Sequence, residues 1–470
     1  VAQPVDVASV PQLNGIFAPI LEEIDADPLE VVEGEIPADL AGAYLRNGPN
    51  PRFPPIGSYV YPLDGDGMVH GIWFEDGRAR YRNRFVRTPA IAAEERAGRA
   101  LWPGIMTGAR PTTDEVGPEL AATDRDLVDI HVVRHGGRTL ALAEGARPFE
   151  LDADLTTIGP YSFAGALPNG MCAHPKVDPA TGEMVVFRYG IDAEPWLTWA
   201  TVAADGKVTR PETAIELSEP TMIHDCALTA THLVLVVCPL RFDFDQMFRG
   251  GSLLRWDRGA GVEFVAVPRA GGPVVRARTD AFWVWHTANA FDDVDASGRR
   301  IVIDYAYWTH PGMGLVQEPT RGGVHRAVMD LDRATVAITP IDDQMAEFPR
   351  VDDRRIGARH RWYHVAGKDP DHPPAVAGEW NRLLRYDMDS GTVQDRRGGD
   401  RAFGEAVFVP RHPDAPAEDG YLMTYEFAAG STTTDLVLLD ASDITAAPVA
   451  RIRIPHRVPF GLHGSWVPAD

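Results

Sequence analysis

Four histidines stand in four differently built contexts: His174 in Met-Cys-Ala-His-Pro-Lys, His224 in Met-Ile-His-Asp-Cys, His286 in Trp-Val-Trp-His-Thr-Ala-Asn and His463 in Phe-Gly-Leu-His-Gly-Ser-Trp. A neutral imidazole is the commonest protein ligand of a metal ion, and iron is among the metals it suits. Three of the four follow an apolar run, which places each where a buried strand reaches a turn. The chain has 15 histidines, and any one alone is better explained as a hydrogen-bonded structural residue. Company shifts the balance. Glu144 in Leu-Ala-Leu-Ala-Glu-Gly, Glu347 in Met-Ala-Glu-Phe-Pro-Arg and Glu405 in Phe-Gly-Glu-Ala-Val-Phe-Val-Pro are carboxylates in strand-like contexts. Such groups accept the second N–H of a metal-bound imidazole and fix its tautomer. Cys172 and Cys226 each lie two residues from one of these histidines, which leaves zinc as a competing metal. Both are read as small buried hydrophobes.

Positioning residues so far apart in sequence requires many strands. Short apolar or alternating runs recur, separated by two-residue turns, as in Gly71-Ile-Trp-Phe-Glu-Asp-Gly-Arg-Ala-Arg-Tyr and Ile130-His-Val-Val-Arg-His-Gly-Gly-Arg-Thr-Leu-Ala-Leu. Further turns are expected at Asp205-Gly206, Ser297-Gly298 and Ser390-Gly391. Buried strands are expected at Met184-Val-Val-Phe, Leu233-Val-Leu-Val-Val and Ile301-Val-Ile-Asp-Tyr. The best helix candidate is Ala90 to Trp102, stopped by Pro103. This is an all-β chain, and so many strands must close on themselves or repeat radially to avoid exposed edges. A propeller satisfies that need, and its innermost strands converge on one axis. The Asp64-Gly-Asp-Gly segment lacks the spacing of a calcium loop and reads as a turn. His70, His131, His135, His360 and His364 have no carboxylate argument and are read as structural or exposed.

Composition excludes several classes. A formal charge of -22 over 470 residues argues against nucleic acid and against docking on anionic lipid. No run approaches the roughly 18–20 apolar residues of a membrane-spanning helix. An odd set of three cysteines is no disulfide framework and fits a cytoplasmic location. No convincing dinucleotide or P-loop motif is present. No low-complexity linker divides the chain, so a single domain over 1–470 is expected.

Several motifs, in order, resemble the carotenoid cleavage oxygenase family. They are Leu45-Arg-Asn-Gly-Pro-Asn-Pro, Asp64-Gly-Asp-Gly-Met-Val-His, Ala173-His-Pro-Lys-Val-Asp-Pro, Ile223-His-Asp, Glu347-Phe-Pro-Arg, Glu405-Ala-Val-Phe-Val-Pro and Leu462-His-Gly. The resemblance implies a seven-bladed β-propeller with a few short helices and long loops capping an axial metal site. It implies one Fe(2+) per chain held by His174, His224, His286 and His463, with Glu144, Glu347 and Glu405 each orienting one imidazole. His174 is expected to stand without a carboxylate. No catalytic group beyond the ligands is expected.

The implied reaction inserts O2 across one C=C bond of an apolar carotenoid or apocarotenoid, giving two carbonyl products. Alternatives are cleavage of a stilbenoid or phenylpropanoid alkene by the same chemistry, and a retinoid-type isomerase on the same fold. Stilbene-cleaving relatives carry a lysine just before the first of these glutamates and a tyrosine upstream. Here the lysine position is Ala143, and no tyrosine occurs between Tyr81 and Tyr161. Ile130 stands where many members have a threonine near the metal. Ile130, Phe282, Trp285 and Phe460 are candidates for the substrate pocket. The apolar segment Phe242, Phe244, Met247, Phe248, Leu253 and Leu254 is expected to border a mouth making peripheral, apolar membrane contact.

Overall fold

The computed structural model describes residues 2–469 apart from Gly108, Ala122 and Ser297. Ser297 of the expected Ser297-Gly298 turn therefore lies outside the described residues. The chain folds as a seven-bladed β-propeller built almost entirely of antiparallel strands.

Tight turns with positive φ build the blades. Asp76 and Gly77 (φ 48° and 70°) join Gly67–Glu75 to Arg78–Phe85, and Gly136 and Gly137 (φ 57° and 75°) join His131–His135 to Arg138–Leu142. Both pairs have the left-handed backbone a two-residue hairpin turn demands, which Asp-Gly and Gly-Gly tolerate. The second blade is His131–His135, Arg138–Leu142, Phe149–Leu151 and Thr157–Pro160. The third begins at Lys176–Val177, the fourth at Cys226–Leu228, the fifth at Thr287–Asp295 and the sixth at Ala346–Arg350. In the seventh, Val407–Pro410 pairs with Gly420–Ala428. The expected buried strands at 184–187, 233–237 and 301–305 lie within Met184–Tyr189, His232–Val237 and Gly298–Trp308.

Both termini close the ring. Gly464–Pro468 is the innermost strand of the first blade, paired with Gly42–Pro49. Glu30–Gly34 is the outermost strand of the last blade, paired with Ala450–Ile454. The first and last blades are thereby tied together, and the radial arrangement confines open edges to the outermost strands of the blades.

Four short helices occur among the described residues, and three of them fall between Phe85 and His131. The expected helix to Trp102 is shorter, Pro89–Ala97. Thr88 caps its start, Pro89 opens it, and Gly98 ends it in the left-handed conformation (φ 66°). That glycine stops the helix before Pro103 can act. Met106 from the same connection and Leu63 pack on the cluster containing Trp283 and Trp285, so this segment covers one end of the disc.

Candidate metal centre

All seven innermost strands begin at one place. Within two residues of each start lies a polar residue: His463 on the first blade, His131 on the second, His174, His224 and His286 on the next three, then Glu347 and Glu405. The histidines thus precede strands, whereas the sequence pattern places them where strands end. The apolar runs before them are packed but mostly unpaired segments; Trp283, Val284 and Trp285 lie at 7% exposure or less.

The four imidazoles converge. His174 Nε2 lies 3.2 Å from His224 Nε2, which lies 3.3 Å from His286 Nε2. Ligand nitrogens of His174, His286 and His463 all fall within 4.8 Å of one another. The rings of His174 and His286 each lie against the other three, at centroid separations of 4.5 to 5.0 Å.

Behind them stand the carboxylates. His224 Nδ1 donates to Glu144 Oε2 at 2.5 Å, His463 Nδ1 donates to Glu405 Oε1 at 2.9 Å, and His286 Nδ1 donates to Glu347 Oε2. Among the described residues no carboxylate reaches His174. With Nδ1 of His224 and of His286 given to a carboxylate, their Nε2 atoms are left facing each other, where the lone-pair contact is relieved by a proton on one ring or by a bound cation. The spacing also suits one: neighbouring ligands about 2.1 Å from a shared ion, at right angles, lie roughly 3 Å apart. The residues present therefore fit a metal ion.

Burial lowers the proton affinity of two of these imidazoles and is overcome at a third. Burial, then the neighbouring histidines, holds the His174 imidazole well below its usual range. Burial also dominates at His463, which is likewise well below. Burial pushes His286 down, but Glu347, Asp225 and Glu405 more than restore its proton affinity. Burial raises the Cys172 thiol to about 12 and Cys226 well above its usual value, and neither sulfur is among the converging ligand atoms.

Two ion pairs brace the ring of strand starts. Lys176 Nζ lies 2.8 Å from Asp225 Oδ1, and Asp225 Oδ2 accepts from Thr287 N at 2.8 Å and Thr287 Oγ1 at 2.9 Å. Three blades bearing histidines are stitched together by that carboxylate. Burial disfavours its charge, but Lys176 and His286 keep the Asp225 carboxyl below its usual range. Arg350 does the same for blades six, seven and one, reaching Glu405 Oε1 at 3.0 Å and Gly464 O at 3.1 Å. Burial alone would raise Glu405, but Arg350 and His463 hold it well below the usual carboxylate range. Sequence reasoning missed Lys176, Asp225 and Arg350, although each lies one to three residues from a predicted site residue. A charge next to a buried ligand is the signal that could have found them.

His131 also belongs here. Its Nδ1 donates to Ala173 O at 3.1 Å, and its ring lies 5.8 Å from His174 and 5.6 Å from His463. Three other histidines have structural partners: Tyr81 for His70 (2.7 Å), Ala203 O for His135 (2.8 Å) and Asp304 for His360 (2.9 Å).

A cavity of about 500 Å³ opens along the axis below the imidazoles, lined by His131, Lys176, Asp225, Asn289 and Arg350 among others. None of Ile130, Phe282, Trp285 and Phe460 lines it. Phe282 stacks on Tyr305 at 5.7 Å inside a blade, and Phe460 packs against Phe17 (5.1 Å) and Phe427 (5.0 Å). Those two rings serve the core. Trp285 meets the His224 ring edge-on at 4.9 Å, and Ile130 accepts the His463 N–H at 3.1 Å through its carbonyl. They alone of the four stand beside the imidazoles.

Residues 17–468 match the family described as Retinal pigment epithelial membrane protein, and the chain belongs to that family, the carotenoid oxygenases. A carotenoid cleavage oxygenase of Mycobacterium tuberculosis is 33% identical, covering 97% of both chains. The crystal structure of a lignostilbene dioxygenase from Pseudomonas brassicacearum superposes with a TM-score of 0.88 at 30% identity, covering 100% of each chain. The apocarotenoid oxygenase of Synechocystis gives 0.84 at 28% identity, covering 96% of this chain and 97% of that one. This is an oxygenase family, and this chain carries its fold throughout.

Proposed function

We propose that this chain is a ferrous-iron dioxygenase that cleaves one C=C bond of a carotenoid or apocarotenoid with O2, both oxygen atoms ending in two carbonyl products. The observation that carries the reading is the convergence of the Nε2 atoms, with His224, His286 and His463 each committed through Nδ1 to a carboxylate. His174, His224, His286 and His463 would hold the iron, which when bound would supply the electron transfer that lets dioxygen react with an electron-rich alkene. The alkene itself provides the electrons, so no reducing cosubstrate is needed.

The protein's part is placement and dryness. Glu144, Glu347 and Glu405 fix the ring orientations and balance the cation's charge. Ala143 is 4% exposed and belongs to the buried apolar cluster that includes Ile130, Ala173 and Phe348, an apolar setting suited to a polyene. Phe248, at the tip of the hairpin formed by Leu240–Phe242 and Leu254–Trp256, is 80% exposed and suits peripheral apolar contact with a membrane. No helix of the described residues is long and apolar enough to cross one. Three buried free cysteines suit a cytoplasmic setting.

Similarity to the lignostilbene dioxygenase over the whole of both chains supports a second reading, cleavage of an aryl alkene by the same chemistry. One experiment tests both. Anaerobically iron-loaded protein is exposed to 18O2 with carotenoids, apocarotenoids and stilbenes, and products are identified by mass spectrometry. Labelled carbonyl pairs from the polyenes are expected. Labelled aldehydes from stilbenes alone would overturn the substrate class, and a rearranged retinoid without label would replace cleavage by isomerisation.

A further inference from the structure

The three carboxylates behind the imidazoles are themselves held in three different ways. Glu405 is gripped by the Arg350 guanidinium at 3.0 Å and by the Gly464 N–H at 2.8 Å. Glu347 accepts the Phe348 N–H at 2.7 Å and leaves its other oxygen without a hydrogen-bond partner. Glu144 is held by a phenol: Tyr189 Oη donates to Oε1 at 2.6 Å while Oε2 takes the His224 proton at 2.5 Å.

Glu144 most needs such a brace. Glu347 lies on a strand, whereas Glu144 sits in the turn after Arg138–Leu142, two blades away from His224. Tyr189 closes the gap, because it ends Met184–Tyr189 on the blade between them. Burial, then the Glu144 charge, raises the phenol well above its ordinary pKa, so it remains a donor. A neutral donor also leaves more negative charge on the carboxylate than a guanidinium does, and that charge is what polarises the imidazole. The Tyr189 ring meets Phe242 at 5.6 Å, tilted 35°. Phe242 ends the strand that leads into the Phe244–Phe248 helix. The phenol is thus wedged between a hairpin and the carboxylate it must hold still.

We propose that Tyr189 is a positioning residue for His224, acting through Glu144 and braced by Phe242. The inference rests on the reading of His224 as a metal ligand. Without its hydroxyl, Glu144 is free to rotate away from Nδ1. Loss of an outer partner of a metal-bound histidine costs on the order of 10–100-fold in metal affinity, and Tyr189, one step further out, belongs near the lower end.

The test uses Co(II) as a spectroscopic probe in the full chain, with Tyr189→Phe, Glu144→Gln, the double variant and Phe242→Leu. Visible d–d absorption and the rate of cobalt release to a chelator are read, with circular dichroism of the metal-free proteins as the folding control. The wild type should bind one Co(II). Tyr189→Phe should shift the band and release cobalt roughly tenfold faster, whereas on the Glu144→Gln background the same change should add less than about twofold. Phe242→Leu, which keeps the hydroxyl, should shift the band in the same direction. Equal spectra and release rates for Tyr189→Phe and wild type would overturn the inference, as would an undiminished effect on the Glu144→Gln background. An unchanged Phe242→Leu spectrum would remove the brace. Failure of the wild type to bind cobalt would instead defeat the four-histidine reading, and this inference with it.

Discussion

Arg350 Nη1 and Glu405 Oε1 lie 3.0 Å apart, and the same oxygen accepts the His463 Nδ1 proton at 2.9 Å. The guanidinium therefore reaches an imidazole through one buried atom. Its second partner, Gly464 O, belongs to the residue after His463, so Arg350 controls both the ring and the strand that presents it. Lys176 and Asp225 play the corresponding part across the axis for His224 and His286. The imidazoles are held as a set because their backbones are tied by charge as well as by packing.

Breaking one of these pairs should be costly. Glu405 is 1% exposed, so Arg350→Met strands a carboxylate in the core. Removing one partner of a buried pair typically destabilises by about 3–5 kcal/mol. Urea unfolding of the metal-free variant, compared with wild type, measures the loss. A change below about 1 kcal/mol would mean that the pair is effectively solvated.

Glu347→Gln should weaken metal binding while leaving the fold intact. The carboxylate orients His286, and losing such an outer partner lowers metal affinity on the order of 10–100-fold. Competition against a chelator of known affinity reads this directly. His286→Ala should go further and abolish retention of iron through gel filtration, measured by elemental analysis.

The Gly98→Ala variant should lose about 1 kcal/mol, since Gly98 takes φ 66° and a left-handed backbone penalises a Cβ by about 1–2 kcal/mol. A new methyl would meet nothing within 4 Å, so strain is the whole effect. Thermal denaturation checks it, and unchanged cobalt absorption shows that the site is untouched.

Glu418 offers a pH signature. Burial raises its carboxyl to about 7, only partly opposed by Arg385, whose Nε donates to it at 2.8 Å. The folded protein holds this proton more tightly than the unfolded chain does, so the stability contributed is complete below the unfolded value of 4.5 and is lost as pH rises towards about 7. Glu418→Gln keeps an acceptor for Arg385 and removes the titration. The melting temperature of wild type relative to this variant should fall between about pH 4.5 and 7 and level off above. A difference independent of pH would show that the group titrates normally.

Residue type and context made part of the site legible. The four histidines and three glutamates stand out by motif, and Asp-Gly and Gly-Gly pairs mark the blades' hairpins because few other pairs accept positive φ. What stayed hidden depends on distance across the ring. Nothing local to His131 reveals that its strand starts beside those bearing His174 and His463. Tyr189 and Glu144 are separated by 45 residues, and only the stacking of adjacent blades brings the phenol to the carboxylate. Phe282 and Phe460 look like tunnel walls by their nearness in sequence to His286 and His463. Both rings lie in irregular segments ahead of a strand, so nearness along the chain does not decide which way a ring points. The first helix ends short of Trp102 for a local reason, since Gly98 acts five residues before Pro103.

Ring closure has a temporal consequence. During synthesis His174, His224 and His286 emerge in order, each ahead of its own strand, but His463 arrives with the strand that completes the first blade. Until Gly464–Pro468 slots beside Gly42–Pro49, three imidazoles face a gap where the fourth belongs. Only when the opening and final segments have joined is the cluster of four complete, so a chain cut short of residue 463 should form neither a closed disc nor the full set of imidazoles.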